Sequence, residues 1–584
     1  MFFKAVKEKK DKLISVKDEL KWLANISKSY KKEIFIVTLV SVLGTVFNLT
    51  ITLCLKKVID IVTGASNESV LNIAVVAVLL MLFNIAFSAM SSRIKTKISI
   101  KIQNEMQIKV YKTIFNAQWE SLREYRKGDL INRINSDVTF VSSGIIGWWP
   151  TVLTFLTQFL YTFILIFVND PIMAFISLLS APVSAFMSRF MLHKMHKHNL
   201  KIKELNADMM SYQEDSFHNL QYIKSFGIST IIYQKLVEKQ NNYKNENLDY
   251  NKVTIFMQVI MSLVGLSVTF ISYTWGVYRL WQGYITYGTM VMFLQLALTL
   301  SNSLNSLMKV IPQTINLGTS ASRIIAIENL PSESTTPTKQ EEDFINKSYD
   351  TGVKINCKEV TFSYSDEPDV KIINNSSFST EIGEIIAVIG GSGIGKTTFF
   401  RLILGLLECT EGGIELQNSY GESIPVSTST RKLFAYVPQG NTIIEGTIAE
   451  NLRLIKPDAT DKEIITALKL SCAYDFVKDL PDGINSYVGE SGKGFSEGQI
   501  QRISIARALI KDAPILLFDE VTSALDEETE KKLLGNIKTH FKNKTIIFVT
   551  HKLSTLGIAD RVFKVENKKF KQVHYHITVD NAET

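Results

Sequence analysis

The chain has 584 residues, of which 46% are hydrophobic and 21% are charged, and its formal net charge is +7. A chain of this length exceeds what one hydrophobic core needs, so at least two domains are expected. The first 33 residues contain ten lysines, and two long loops between apolar segments are also basic. The positive charge therefore fits a membrane topology, and we expect no nucleic-acid partner. The four cysteines lack metal-ligand spacing, which predicts free thiols.

Six long runs without charged residues lie before position 310. Each has about 18 residues or more, the length that a helix needs to cross a bilayer. They predict spans near 34–55, 70–92, 146–168, 171–190, 254–278 and 288–310. We expect a transmembrane domain over 1–328, a polar linker over 329–350 and a second domain over 351–584.

The basic residues predict the orientation of these spans. The lysine-rich N-terminus shows no cleavage-site pattern, and the long loops 93–137 and 189–252 are rich in Lys and Arg. We therefore expect a multi-pass protein of the plasma (inner) membrane. Its N-terminus and its second domain would lie in the cytoplasm.

A phosphate-binding pattern, G-x-x-x-x-G-K-[ST], occupies residues 390–397. It follows a run of apolar residues, 385–389, that reads as a buried strand. Backbone N–H groups of such a loop turn inward around phosphates, and the helix that follows directs its positive end at them. Lys396 would reach the terminal phosphates of ATP, and the Thr397 hydroxyl would bind Mg²⁺. The predicted phosphate-contacting residues are Gly391, Ser392, Gly393, Gly395, Lys396, Thr397 and Thr398.

Two further apolar runs deliver acidic and basic side chains. The run 515–518 ends in Asp519 and Glu520, and two carboxylates at a buried strand end are costly without a cation or a reacting water. Asp519 fits a Mg²⁺ partner, and Glu520 fits the group that polarises the attacking water. His551 follows the run 545–549 and would contact the γ-phosphate. The sequence thus predicts hydrolysis of ATP.

Residues from about 350 to 575 resemble the nucleotide-binding domain of ATP-binding-cassette (ABC) transporters. Residues 494–502, GFSEGQIQR, resemble the family's L-S-G-G-Q signature. The resemblance implies that two such domains sandwich two ATPs head to tail, so that Ser496, Glu497, Gly498 and Gln499 face the phosphates bound by a partner. It also implies that Tyr364 stacks on adenine, that Gln439 links Mg²⁺ to the membrane domain, and that 523–526 form the D-loop.

The signature departs from the family pattern at two positions. Phe495 stands for Leu, which is an apolar exchange, and Glu497 stands for Gly. A carboxylate of Glu497 that faced the γ-phosphate would repel it and impair the composite site. Alternatively, Ser496 and Gln499 form a capping box and Glu497 lies in the first helical turn, where it suits the helix dipole. We favour the second interpretation.

The order of the two domains, and the likeness of residues 119–133 to the first intracellular loop of ABC exporters, imply a half-transporter of the exporter type. The expected fold is a membrane domain of six transmembrane helices with long cytosolic extensions, joined to an α/β P-loop ATPase domain. The partners implied are a second copy of the chain or a related half-transporter, the lipid bilayer and an exported substrate.

The sequence leaves the substrate open. In the sixth span, polar residues recur on one helical face, which indicates either a cavity lining or interhelical hydrogen bonding. They are Gln295, Thr299, Asn302, Ser306 and Lys309. Asn48, Asn84, Gln158 and Gln258 are scattered, one to a span, and we predict structural roles for them. A peptide or an amphipathic small molecule is the preferred cargo.

Taken together, these patterns predict an ATP-hydrolysing homodimeric exporter that works by alternating access. Half of a heterodimer and a lipid flippase are alternatives within the same class. An ATP-gated regulator or channel is the alternative from another class, and the six spans exclude a soluble ATPase scaffold.

Overall fold

The computed structural model describes residues 16–573, except 179, 335, 441, 490 and 491, and gives some helical residues by their backbone alone. The chain divides into two compact units. Unit 1 contains the residues up to Phe115 together with Glu124–Leu330. Unit 2 contains Asn116–Arg123 and the chain from Pro331 onward.

The described part of unit 1 is helical. Together with one short helix of unit 2, α4, its α-helices in chain order are α1 Val16–Ser29, α2 Lys31–Val62, α3 Val70–Asn116, α4 Trp119–Arg123, α5 Lys127–Asn132, α6 Val138–Asn169, α7 Pro171–Leu178, α8 Ser180–His218, α9 Leu220–Ser225, α10 Ser229–Trp281 and α11 Tyr287–Glu328. One turn of π-helix, Arg133–Asp137, joins α5 to α6. At about 1.5 Å per residue, the 47-residue helix α3 is about 70 Å long, which is more than twice the hydrocarbon thickness of a bilayer.

Four stretches of helix in the described part of the chain are long and apolar enough to cross a membrane. They are Lys31–Val62, Val70–Asn116, Lys127–Asn169 and Ser229–Trp281, and they contain the predicted spans 34–55, 70–92, 146–168 and 254–278. The spans near 171–190 and 288–310 stay predictions. The former includes the undescribed residue 179, and the latter lies in α11, where polar residues such as Gln295 and Asn302 lower the mean hydropathy.

Buried acids lie next to the short connections between these helices. The carboxylate of Asp170 is 1% exposed, and it accepts hydrogen bonds from Arg279 Nε at 2.9 Å and Trp275 Nε1 at 3.2 Å. Asp60 Oδ1 accepts from the backbone N–H of Gly288 at 3.0 Å. A buried carboxylate is tolerated where such partners satisfy it, so these contacts fix the ends of the helices.

Unit 2 contains an α/β domain. Its strands are β1 Val353–Ser363, β2 Lys371–Ser379, β3 Ile385–Ile389, β4 Glu411–Asn418, β5 Ser423–Pro425, β6 Phe434–Val437, β7 Gly446–Thr447, β8 Tyr487–Val488, β9 Ile515–Asp519, β10 Thr545–Val549, β11 Arg561–Glu566 and β12 Lys569–Val573. Its helices after residue 330 are α12 Lys339–Thr351, α13 Lys396–Ile403, α14 Ile448–Arg453, α15 Asp461–Leu470, α16 Tyr474–Lys478, α17 Glu497–Leu509, α18 Glu527–His540 and α19 Leu553–Leu556.

The larger sheet positions the predicted ATP site. Its order is β12-β11-β3-β10-β9-β6, and the strands from β11 to β6 run parallel. In the register, Val549 of β10 pairs with Val388 of β3 on one side and with Asp519 of β9 on the other. The carboxyl ends of β3, β10 and β9 therefore meet at one edge, which is where ligands bind in open α/β sheets.

The predicted linker 329–350 is only partly a linker. Helix α12 occupies its second half and buries Phe344 and Ile345 in the core of unit 2. A capping box between Thr338 and Glu341 begins this helix. The two apolar residues lie next to each other among polar ones, which is why the sequence shows no helical periodicity here.

Residues 116–123 pack within unit 2 through backbone contacts. Gln118 N donates to Pro331 O at 2.8 Å, and Glu333 N donates to Asn116 O at 2.7 Å. The Glu333 carboxylate accepts hydrogen bonds from both terminal nitrogens of Arg431. Such a bidentate pair is geometrically specific. The segment that begins the predicted intracellular loop thus belongs to the same compact unit as the ATPase domain.

Candidate nucleotide-binding site

The predicted phosphate loop connects β3 to α13, as the pattern requires. Gly393 has φ +75° and Gly395 has φ +106°, conformations that favour glycine. A Cβ atom at Gly395 would also lie 2.9 Å from Ile372 Cγ2. Gly391, Ser392 and Gly393 are exposed, whereas Thr398 is buried beneath the loop. The exposed residues 391–393 are thus the part of the loop that is available to phosphates.

Lys396 lies at the centre of the site and is 6% exposed. Its Nζ donates to the carbonyl oxygens of Gly390 at 2.5 Å and Gly391 at 3.2 Å. It also lies 2.9 Å from His551 Nε2 and 3.9 Å from Glu520 Oε1. Burial lowers the pKa of the Lys396 ammonium, and the charge of Glu520 opposes that shift. A cation is therefore held where the terminal phosphates would lie.

Asp519 and Thr397 form the predicted metal site. Thr397 Oγ1 donates to Asp519 Oδ2 at 2.9 Å, and Tyr436 Oη donates to the same oxygen at 3.4 Å. Burial raises the pKa of the Asp519 carboxyl, and the hydrogen bond from Thr397 opposes that shift. A buried carboxylate beside a hydroxyl suits Mg²⁺, which takes few protein oxygens and completes its shell with water and phosphate. Among the described residues no larger cluster of metal ligands occurs.

Glu520 is held in a strained position between two other predicted residues. Its φ of +52° is unusual for a residue other than glycine, and its N–H donates to Val549 O at 2.9 Å. Gln439 Nε2 donates to Glu520 Oε2 at 2.8 Å, and His551 Nε2 lies 3.6 Å from Glu520 Oε1. Gln439 and His551, the two other predicted catalytic residues, therefore both contact the Glu520 carboxylate.

The signature residues form the capping box that the second interpretation predicted. Ser496 Oγ accepts from Gln499 N, and Gln499 Oε1 accepts from Ser496 N, so α17 begins at Glu497. Glu497 is exposed in the first turn. A Cβ atom on Gly498 would lie 2.8 Å from the backbone oxygen of Ala524 in the predicted D-loop. No hydrogen bond or ion pair in the described chain joins the signature to the phosphate loop.

The aromatic residue expected at adenine, Tyr364, contacts a residue that sequence reasoning missed. The guanidinium carbon of Arg123 lies 3.9 Å from the centroid of the Tyr364 ring, and Arg123 also pairs with Asp366 at 3.3 Å. Glu120 accepts from Ser365 N at 3.0 Å. Tyr364 Oη lies 3.1 Å from Thr398 Oγ1. Helix α4 thus touches the predicted adenine-binding residue directly.

Two further residues were missed. Tyr436 contacts Asp519, and Arg401 donates from Nη1 to Tyr364 Oη at 3.3 Å. The sequence contained a signal for Tyr436, since it lies on β6, three residues before Gln439. For Arg123 and Arg401 no local pattern was available, because their contacts join distant parts of the chain.

Fold and site together define a class of protein, a P-loop ATPase joined to a helical membrane domain. Residues 34–304 match the family described as ABC transporter transmembrane region, and residues 373–523 match the family described as ABC transporter. The chain belongs to the ABC transporters and is a half-transporter of the exporter type that hydrolyses ATP.

Relatives span nearly the whole chain. A protein of Rickettsia bellii named as an export ATP-binding/permease protein is 28% identical over 566 residues, which cover 93% of each chain. The alpha-hemolysin translocation ATP-binding protein HlyB of Escherichia coli is 28% identical over 96% of this chain and 78% of its own. The solved structure of a bacterial Atm1-family ABC exporter with ATP bound has a TM-score of 0.80 and 22% identity, and covers 93% of this chain and 95% of that one. This structural likeness supports the predicted fold.

Proposed function

We propose that the chain forms a homodimer that uses ATP to move a peptide or an amphipathic small molecule out of the cytoplasm by alternating access. The observation that carries this proposal is the separation of the two halves of the ATP site. Lys396, Asp519 and Glu520 lie together within one chain, whereas Ser496 and Gly498 make no hydrogen bond with them. A second chain, placed head to tail, would supply the missing signature.

The roles of the site residues follow from their contacts. Thr397 and Asp519 would hold Mg²⁺, which supplies positive charge against the phosphates. Glu520 would polarise the attacking water, and Gln439 holds its carboxylate in place. Lys396 and His551 would contact the terminal phosphate. Such positioning and charge stabilisation account for most of the catalysis in phosphoryl transfer.

The membrane unit supports export from the cytoplasm. Its basic loops favour a multi-pass protein of the inner membrane with the ATPase domain inside. On α11, the hydroxyl of Thr299 bonds to Gln295 O within its own helix. Gln295, Asn302 and Ser306 have no interhelical hydrogen bond to the described residues. This favours a cavity-lining role over interhelical bonding for that polar face.

Two of the relatives are named for export or translocation, one of them for alpha-hemolysin, which supports an exported cargo. An ATP-gated channel would equilibrate its cargo, whereas a pump accumulates it. Uptake into inside-out vesicles therefore separates the two functions. An amphipathic organic anion such as dodecanoate can serve as the first cargo tested.

The head-to-tail pairing can be tested by cross-linking. Ser392→Cys and Glu497→Cys would be combined in a chain that also carries Glu520→Gln, purified and supplied with ATP. Both positions are exposed, and the native cysteines are free. We expect an ATP-dependent dimer on a non-reducing gel, since the phosphate loop of one chain would face the signature of the other.

Chains with only one of the two introduced cysteines are the matched controls and should remain monomeric on the gel. A doubly substituted protein that binds ATP yet gives no dimer band would contradict the homodimer. It would then favour pairing with a related half-transporter.

A further inference from the structure

A cavity of about 480 Å³ lies in unit 1 between α2, α3 and α6. Its lining comes from three stretches that are each about half of a membrane span in length, 40–48, 84–95 and 151–158. The volume is within the range of pockets that hold small organic ligands. Three of the four scattered polar residues, Asn48, Asn84 and Gln158, line it, and Gln258 does not.

Several polar groups of this cavity have no hydrogen-bond partner in the part of the chain that the structure describes. Asn84 Nδ2 donates to Gly44 O at 2.8 Å, and the hydroxyls of Ser41 and Ser91 are 2.8 Å apart. In contrast, Thr154 Oγ1 is buried without a hydrogen-bond partner among the described residues. Asn48 and Gln158 make no side-chain hydrogen bond there either. Polar groups inside a membrane domain are costly, so groups that the fold itself does not satisfy point to a ligand.

The charge of the cavity limits what it can bind. Lys95 is its one basic lining residue, and none of the lining residues is acidic. Lys95 is half-buried and makes no ion pair with a described residue. Phe87 and Phe155 provide apolar surface beside these polar groups. An uncompensated cation next to apolar surface and hydrogen-bonding groups matches a molecule with an acidic head and an apolar chain.

We propose that this cavity binds an amphipathic organic anion, with its acidic head at Lys95 and its apolar part against Phe87 and Phe155. Thr154, Asn48 and Gln158 supply hydrogen bonds. The inference rests on the exporter function proposed above and names the substrate class and its site. The same chemistry occurs in an anionic lipid and in a water-soluble amphiphile, and the experiment separates these two sources.

Photolabelling tests the site directly. The probe is dodecanoate bearing a diazirine, added to the full-length protein in phosphatidylcholine nanodiscs, and labelled peptides are identified by mass spectrometry. We expect label in 40–48, 84–95 and 151–158. Unlabelled dodecanoate should compete, whereas methyl dodecanoate should not, because its head carries no charge.

Lys95→Met removes the cation and should lower labelling at least about tenfold, since truncating one partner of a buried charged pair typically costs more than a factor of ten in affinity. Lys97→Met is the matched control, because Lys97 lies on the same helix, is exposed and does not line the cavity. Thr154→Val should lower labelling without lowering the thermal midpoint, because the hydroxyl that it removes has no partner among the described residues. If Thr154 had a purely structural role, Thr154→Val would lower the thermal midpoint and leave labelling unchanged.

Equal labelling of wild type and Lys95→Met, or equal competition by the ester, would overturn the proposal. So would absence of label from the three stretches in protein with normal ATP turnover, and that result would leave the exporter function intact. Failure of ATP turnover in the wild type would instead count against the proposed function. Phosphatidylglycerol nanodiscs identify the source: loss of label indicates a lipid ligand, and undiminished label indicates a soluble amphiphile.

Discussion

The two halves of the ATP site differ in how their residues are held. Around the phosphate loop, Lys396 lies 3.9 Å from Glu520, Gln439 donates to Glu520, and Thr397 donates to Asp519. In the signature, Ser496 and Gln499 bond to each other through the capping box, and Ser496 and Glu497 are exposed. The first half is preorganised within the chain, while the second presents the exposed start of a helix. If two chains pair head to tail as proposed, catalysis lies in the first half and the regulation of catalysis by dimer closure in the second.

The largest expected effect comes from the preorganised half. Glu520→Gln should retain ATP binding and lower ATP turnover by about 10²–10⁴-fold, the usual contribution of a group that takes a proton in the transition state. Turnover in nanodiscs and binding of a fluorescent ATP analogue measure the two quantities. Near-normal turnover would remove Glu520 from its proposed role.

The signature half is tested through Gly498. In Gly498→Ala the added Cβ would lie 2.8 Å from the Ala524 backbone oxygen, so the signature helix or the D-loop must shift. Such overpacking costs about 1–3 kcal/mol, and ATP turnover should fall because the signature no longer faces the partner correctly. ATP binding to the unpaired chain should not change.

Gly535→Ala is the control for that substitution. Gly535 lies within α18, and a Cβ there meets no atom within 4 Å. This exchange should leave turnover unchanged and stabilise the helix by up to about 1 kcal/mol. If Gly498→Ala and Gly535→Ala have the same ATP turnover, the close approach of Gly498 to the D-loop does not matter for function.

The contact between Arg123 and Tyr364 makes a smaller effect testable. A cation over an aromatic ring contributes about 0.5–1 kcal/mol at exposed sites. If adenine stacks on the ring face that Arg123 covers, Arg123→Ala should tighten ATP binding about 2–5-fold, because the competing contact is lost. Tyr364→Ala should weaken ATP binding in the same titration. Unchanged affinity in Arg123→Ala would place Arg123 on the opposite face from the nucleotide.

Much of the fold could be predicted because its elements carry strong local signals. The strands before the phosphate loop, before Asp519 and before His551 were read from short apolar runs, and four predicted spans coincide with long apolar helices. The roles assigned to the site residues stay predictions, although the structure brings the catalytic ones into contact. Contacts between distant segments could not be read, since nothing local links Arg123 to Tyr364. The cavity was missed for a similar reason, because Asn48, Asn84 and Gln158 lie on three helices whose register the sequence does not give.

A half-buried lysine outside the ATP site, Lys511, provides a reference for Lys396. Lys511 Nζ donates to the carbonyl oxygens of Arg431, at 3.1 Å, and Phe434. Burial lowers the pKa of Lys511 to about 8, and no carboxylate opposes that shift. The unfolded chain keeps a lysine pKa near 10.5, so between these two values the unfolded state binds more protons than the folded state. Stability from this group therefore rises with pH in that window and is flat below it.

The thermal midpoints of wild type and Lys511→Met, compared at about pH 7 and about pH 9, check this sign. From the lower to the higher pH, the free energy of unfolding of the wild type should rise by on the order of 1 kcal/mol relative to that of Lys511→Met. The reason is that only the wild type can release the proton of Lys511. Lys396 should show a weaker dependence, since Glu520 and Asp519 favour its charged form. If the difference in stability between wild type and Lys511→Met is the same at both pH values, the Lys511 ammonium stays charged in its site. The two carbonyl oxygens would then compensate its burial as fully as the carboxylates compensate Lys396.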